Sequence, residues 1–124
     1  MLDLKRMMET IRRHPEFHRA GMVLAHNGVV RDTSRDGRPV TGLRVTVNRE
    51  KLEQLVAEQK KRPGIVEILV EIADEKDLAV GEDVMCLVVA GDVRENVITT
   101  LQQTLDAIKT TVTAKTEFFS EPQK

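Results

Sequence analysis

The chain has 124 residues and a net charge of −1. That length supports one domain around a single core, and the charge balance excludes general electrostatic capture of nucleic acid or an anionic membrane. Any anion site must therefore be a local cluster of cations.

Three Phe with no Tyr or Trp leave few aromatic faces on which single-stranded nucleic acid can stack. The single Cys86 lies in an apolar run, has no partner for an internal disulfide, and reads as a buried core thiol. Met1–Arg13 mixes charge with apolar residues and lacks the continuous apolar region of a signal peptide. No apolar run reaches membrane-spanning length. A cytoplasmic protein in a reducing compartment is expected.

Leu4, Met7, Met8 and Ile11 recur at helical spacing, which predicts a short amphipathic helix over residues 1–14, ended by His14-Pro15. Such a helix docks on the body or on a second copy, or hangs loosely from its chain. Gly21–Val30 reads as a strand with a bulge or turn at Asn27-Gly28. Arg31–Pro39 is a loop, and Val40–Val47 alternates as a half-buried strand. Asn48 is a plausible N-cap for a helix whose basic last turn, Lys60-Lys61-Arg62, is stopped by Pro63-Gly64. Ile65–Ile72 is a strand that points Glu67 and Glu71 at solvent or a partner. Asp74–Asp83 reads as an acidic connection.

Val84–Val89 is nearly all apolar and predicts a central strand covered on both faces. Asp92 can cap the next helix, with Val93, Val97, Ile98, Leu101, Leu105 and Ile108 as its buried stripe. Thr110–Thr113 is expected to run extended, and Phe118-Phe119 to lie in a mobile tail over 118–124. The order of elements predicts an α+β fold in one domain over residues 1–124, a mostly antiparallel sheet with helices packed on it.

No phosphate loop, zinc-protease motif or nucleophile elbow is present in the sequence. His14, His18 and His26 are scattered and read as surface or satisfied histidines. The cations are more informative. Arg31 sits where a strand enters a loop, a common place for binding groups. Arg94 lies in the first turn of a helix, where a cation opposes the dipole unless an anion is bound. Lys109 stands at the other end of that helix, and Lys115 follows six residues later. Each lysine by itself reads as a solvated charge ahead of a catalytic group.

The run from Leu78 carries a resemblance. Leu78, Gly81 and Glu82 are followed by Met85, Leu87 and Val89 in alternation, then Arg94 opening a helix that ends Asp106-Ala107-Ile108-Lys109. Upstream, Gly21-Met22-Val23 leads to Gly28-Val29-Val30-Arg31. This pattern, spread over Ala20–Glu117, resembles the MoaE family, the catalytic large subunit of molybdopterin synthase. Arg94, Asp106 and Lys109 match the family's arginine, aspartate and first lysine without a gap. Val93 replaces the family's histidine, and the Pro-aromatic-Trp of the exit is missing. With a one-residue deletion there, Lys115 and Glu117 fall on the family's second lysine and glutamate; without it, Thr116 takes the lysine's place.

The resemblance implies an α/β-hammerhead-like fold and a sulfur transfer. Sulfur passes from the C-terminal thiocarboxylate of a small ubiquitin-like subunit to cyclic pyranopterin monophosphate, giving the dithiolene of molybdopterin. Lys109 and Lys115 would be the catalytic residues, and Arg31 and Arg94 would hold the phosphate. A lysine moves protons near neutral pH only where burial or nearby cations lower its pKa. No cofactor is implied, since the pterin is the substrate. The partners implied are the small subunit and a second copy of the chain, a homodimer with one small subunit at each end, and neither nucleic acid nor membrane. The departures leave room for a binding module without catalysis, or for a generic α+β protein should the cations stand apart.

Overall fold

The computed structural model describes residues 2–120. Along the chain they form α1 (Leu4–Arg12), a 3-10 turn (Phe17–Arg19), β1 (Met22–Val29), β2 (Val40–Val47), α2 (Arg49–Lys60) and β3 (Ile65–Ile72). Then come β4 (Asp77–Ala79), β5 (Asp83–Gly91), α3 (Arg94–Ala107), a π-helical turn (Ile108–Val112) and β6 (Thr113–Phe119). The strands make two antiparallel sheets, ordered β1-β5-β3 and β4-β2-β6. The architecture is α+β.

The apolar run of β5 is the centre of the first sheet because it is the strand that loses least by being covered on both sides. Cys86, Val88 and Ala90 face α1, where they meet Met7 and Ile11. Leu87 and Val89 face α3, where they meet Val97. The period-two alternation of one strand thus serves two helices. Gly91 allows the second of these to come close: a Cβ there would lie 2.8 Å from Val97 Cγ2.

The N-terminal helix is docked, not loose. Asp3 caps it by accepting from the Arg6 amide at 3.0 Å, and Ile11 is fully buried. Glu67 and Glu71, expected at solvent or a partner, hold the neighbouring helices. Glu67 pairs with Lys60 at 2.7 Å and His14 at 3.6 Å, and Glu71 pairs with Arg6 at 3.3 Å. Ile11→Ala is expected to destabilise the chain by about 2–4 kcal/mol through the cavity it leaves; urea unfolding measures it.

The second sheet closes a third core cluster. Leu43 and Val45 of β2 meet Leu52 of α2, Ile72 and Met85 from the first sheet, and Ile108 and Val112 of the π-helical turn. Asn48 caps α2 as expected, accepting from the Lys51 amide at 3.1 Å, and Gly64 follows the helix with φ of 77°. The expected irregularity at Asn27-Gly28 is a register shift between Gly28 and Val29.

Several expectations are corrected. The acidic connection contains β4, which pairs with β2 through Gly42↔Ala79 to Arg44↔Asp77. Thr110–Thr113 does not run extended: the π-helical turn lasts through Val112 and the strand begins at Thr113. Phe118 and Phe119 are not in a mobile tail. They end β6 opposite Gly42 and Val40, with the Arg38 guanidinium 4.0 Å from the Phe119 ring centre. Residues 121–124 of the expected tail lie outside the described residues.

The face of α3 also differs. Val93 and Ile98 are 49% and 46% exposed, whereas Thr100 and Thr104 are buried beside Val97 and Ile108. The residue at the N-cap position is Val93, with no side-chain cap. Asp92 instead accepts from the Asn96 side chain at 2.9 Å and, second in effect, from the Val93 amide at 2.6 Å, bonds that hold its carboxyl below the usual carboxylate range. Thr104 Oγ1 is buried without a hydrogen-bond partner among the described residues. Thr104→Val is therefore expected to raise stability by about 1 kcal/mol, seen as a higher denaturant midpoint at constant slope.

Candidate functional site

Lys109 rides on the π-helical turn. Three threonines return their hydroxyls to the carbonyls behind them: Thr110 to Asp106 at 2.9 Å, Thr111 to Ala107 at 2.7 Å, and Thr113 to Ile108 at 3.2 Å. Such back-bonding competes with regular helix and favours a wider last turn. Ile108 and Val112 anchor the turn in the core, and the Val112 carbonyl accepts from the Asn48 amide at 2.8 Å. The residues between them, Lys109 to Thr111, are held outward and exposed.

Arg31 leaves β1 just past its bulge. Its neighbour Val30 is buried and is clamped by backbone bonds, donating to Glu82 at 3.0 Å and accepting from Gly81 at 2.9 Å. Val30 belongs to the same core cluster as Ile108, so Arg31 and Lys109 emerge beside one packed unit. Lys115 lies opposite Val45, another member of that cluster, on β6 at the edge of its sheet. Residues directly opposite in an antiparallel pair share a face. Three of the four predicted cations thus each adjoin a member of this cluster, Arg31 and Lys109 along the chain and Lys115 across the sheet. Among the described residues none of the three has an ion-pair partner. The loop from Arg31 is itself braced: Ser34 bonds to Asp36, and Arg38 Nε donates to Asp36 Oδ2 at 2.9 Å. The Ser34 hydroxyl first, and the Arg38 charge after it, hold the Asp36 carboxyl low.

Arg94 is not brought to the others. β5 runs from beside Val29 to beside Met22, and α3 returns over it. Fifteen residues at 1.5 Å each put Arg94 and Lys109 about 22 Å apart along the axis. The Arg94 side chain is 79% exposed and contacts Glu95 Oε1 at 3.3 Å. Within one chain the length of α3 therefore keeps Arg94 away from Lys109.

Comparison with known proteins decides the family. The family profile described as MoaE protein matches residues 1–111. The chain belongs to the MoaE family. It is a family of molybdenum cofactor biosynthesis. Solved structures share the fold. Molybdopterin synthase from Staphylococcus aureus is 19% identical with a TM-score of 0.78, covering 99% of this chain and 89% of that one. Molybdopterin cofactor biosynthesis protein E from Burkholderia multivorans is 23% identical with a TM-score of 0.74, covering 98% and 82%. The complex of subunits 1 and 2 of molybdopterin-converting factor from Helicobacter pylori is 16% identical with a TM-score of 0.71, covering 99% and 87%. No curated protein matches the chain.

One of the three histidines of this MoaE chain, expected at the surface or satisfied, is neither fully exposed nor bonded through its side chain. His26 of β1 lies opposite Leu87 and shares the face that meets α3. It is half-buried, and among the described residues its side chain makes no hydrogen bond. Burial first, and the charge of Lys109 second, lower its pKa from 6.5. The signal was present in the alternation Leu24, His26, Gly28, which places an imidazole on an otherwise apolar face. Cys86 behaves as expected: burial, then the charges of Asp83, Glu71 and Asp3, push its thiol up and leave it unreactive.

A cavity of about 640 Å³ lies between the start of α1, the end of β3 and the β4–β5 turn. Its wall mixes Arg6 and Arg49 with Glu71 and Asp74 and contains none of the four predicted cations. Arg6–Glu71 and Arg49–Asp74 are already ion-paired, at 3.3 and 3.5 Å. With Lys76 set against Glu82 and Asp83, the wall carries more acids than bases and gives an anion little to bind.

Proposed function

We propose that this MoaE protein is the large subunit of molybdopterin synthase. It would transfer sulfur from the C-terminal thiocarboxylate of a small ubiquitin-like subunit to cyclic pyranopterin monophosphate. The observation that carries the reading is that Arg31 and Lys109 each follow a buried member of one core cluster and Lys115 lies opposite another on an edge strand, all three without an ion pair among the described residues.

Each part has a physical task. Arg31 offers a planar fork to a phosphate. Lys109 supplies positive charge where the pterin carbons accept sulfur and negative charge develops. Lys115, six residues on and carried by β6, serves the second catalytic role. The free edge of β6 presents backbone donors and acceptors to an extended glycine tail. Arg94 can join only from a second copy, so the reading requires a homodimer whose sites combine the Lys109 end of one chain with the Arg94 end of the other. The exposed Val93 and Ile98 beside Arg94 suit such a contact. Cytoplasmic location follows as part of the same proposal.

A second reading has its own observation. Val93 offers no side-chain cap or proton-transfer group where the family has histidine, and the exit lacks its Pro-aromatic-Trp. A chain so altered can bind the small subunit or a pterin without turnover. Capture of the thiocarboxylated small subunit combined with a reconstituted dithiolene assay separates the two. Capture with product supports the synthase; capture without product selects the binding module.

A further inference from the structure

We infer that Thr113 is a positioning residue for the two lysines: it gives both its amide and its hydroxyl to the Ile108 carbonyl, and so fixes the peptide that leads into Lys109 against the strand that carries Lys115. The inference rests on the synthase reading for what the lysines do; the joint itself is a feature of this chain.

The end of α3 has no ordinary stop signal. Neither Gly nor Pro occurs between Asp92 and Ser120, whereas α2 is ended by Pro63-Gly64. A helix end leaves its last carbonyls without partners. Here three successive carbonyls, those of Asp106, Ala107 and Ile108, each accept a threonine hydroxyl. Thr110 and Thr111 donate from within the π-helical turn and are exposed. Thr113 donates from beyond it, at 3.2 Å, and is half-buried. Its amide bonds to the same carbonyl, across the five-residue spacing that defines a π-turn. A carbonyl oxygen has two lone pairs, so both bonds form at once.

The neighbours on either side give the joint its consequence. The Ile108 carbonyl belongs to the peptide that leads into Lys109. Thr113 is the first residue of β6 and stands opposite Val47. The chain passes from turn to strand with no loop residue between them. Lys115 follows two residues later, about 7 Å along the strand and on the same face of it as Thr113. β6 is held to β2 along its length, and the Val112 carbonyl is pinned by the Asn48 amide at 2.8 Å. Both lysines are exposed and have no ion pair among the described residues, so their spacing is set by the backbone beneath them.

Removing the hydroxyl leaves the amide bond in place, so the Ile108 carbonyl keeps a donor and the fold survives. The turn gains freedom to tighten toward an ordinary helical turn, which swings Lys109 relative to Lys115. A displacement of about 1 Å is enough to cost about a hundredfold in turnover.

The test compares Thr113→Val, which keeps the branched shape and loses the hydroxyl, with Thr113→Ser, which keeps the hydroxyl and loses the methyl. Thr113→Ala, which loses both, must agree with the valine. Urea unfolding confirms that the variants fold. Hydrogen exchange at the residue-113 amide reads the joint directly. Dithiolene formation with the thiocarboxylated small subunit and cyclic pyranopterin monophosphate gives kcat and KM. In Thr113→Val, exchange at that amide should be about fivefold faster, with the amides of β5 unchanged. Its kcat should fall by about ten- to a hundredfold while KM for the pterin stays at the parent value. Thr113→Ser should restore both exchange and kcat. Parent kcat in Thr113→Val, or exchange that the valine leaves unchanged, overturns the inference. So does a fall in kcat that serine fails to restore, which assigns the role to the methyl group, or a rise in KM with kcat intact, which makes Thr113 a binding residue. Product from the parent chain with no effect of the hydroxyl removes this inference alone. Hydroxyl-dependent exchange in a parent chain that makes no product removes the synthase reading and leaves the joint standing.

Discussion

Lys109→Ala is expected to lower dithiolene formation by about 10²- to 10⁴-fold, the range for losing a positioned charge or proton-transfer group. The fold should not notice. Lys109 is exposed and enters no ion pair among the described residues. The turn is held by Ile108, Val112 and the threonine hydroxyls, all of which remain. An exposed substitution of this kind stays within about 0.5 kcal/mol in stability. Unfolding and small-subunit binding should therefore match the parent chain while product disappears. Lys61→Ala, at the solvated end of α2, is the control and should retain full turnover. Undiminished product from Lys109→Ala would remove Lys109 from the chemistry.

Mixing two inactive variants should restore activity. If Arg94 serves the site of a second copy, Arg94→Ala and Lys109→Ala each disable every site in their own homodimers. A mixed dimer carries both lesions in one site and neither in the other. Random re-pairing of equal amounts makes half the dimers mixed, so about a quarter of the parent activity should return. This follows from the length of α3, which keeps the two side chains about 22 Å apart in one chain. Two results would contradict it: full activity in Arg94→Ala alone, or no recovery in a sample shown to contain mixed dimers.

How far the residues announce this arrangement depends on the range of the interaction that decides each feature. The spans of β2 and β3, Val40–Val47 and Ile65–Ile72, are legible in their own alternation and in the turn residues around them. The cap at Asn48 is equally local. β4 is not legible: three residues, Asp77–Ala79, become a strand only because β2 lies beside them. Phe118 and Phe119 look like a tail for the same reason, since their pairing partners are nearly eighty residues earlier in the chain. The rotation of α3 was misjudged because Thr100 and Thr104 take buried positions that an apolar stripe assigns to Val93 and Ile98.

The candidate site divides along the same line. Arg31 and Lys109 could be singled out by position and by resemblance, but their common cluster is a tertiary fact. Their separation from Arg94 was implicit in the helix length. His26 was hidden because an unsatisfied imidazole and a satisfied one look alike in sequence; the missing partners appear only in three dimensions.

The most direct test of the central claim counts sulfur. The unaltered chain is combined with a small subunit carrying a labelled C-terminal thiocarboxylate and with cyclic pyranopterin monophosphate, and label in the pterin product is measured. The account predicts two labelled sulfurs per product molecule, with the small subunit consumed in proportion. Tight binding of the small subunit with its label still on the tail, and no label in any pterin, would contradict it.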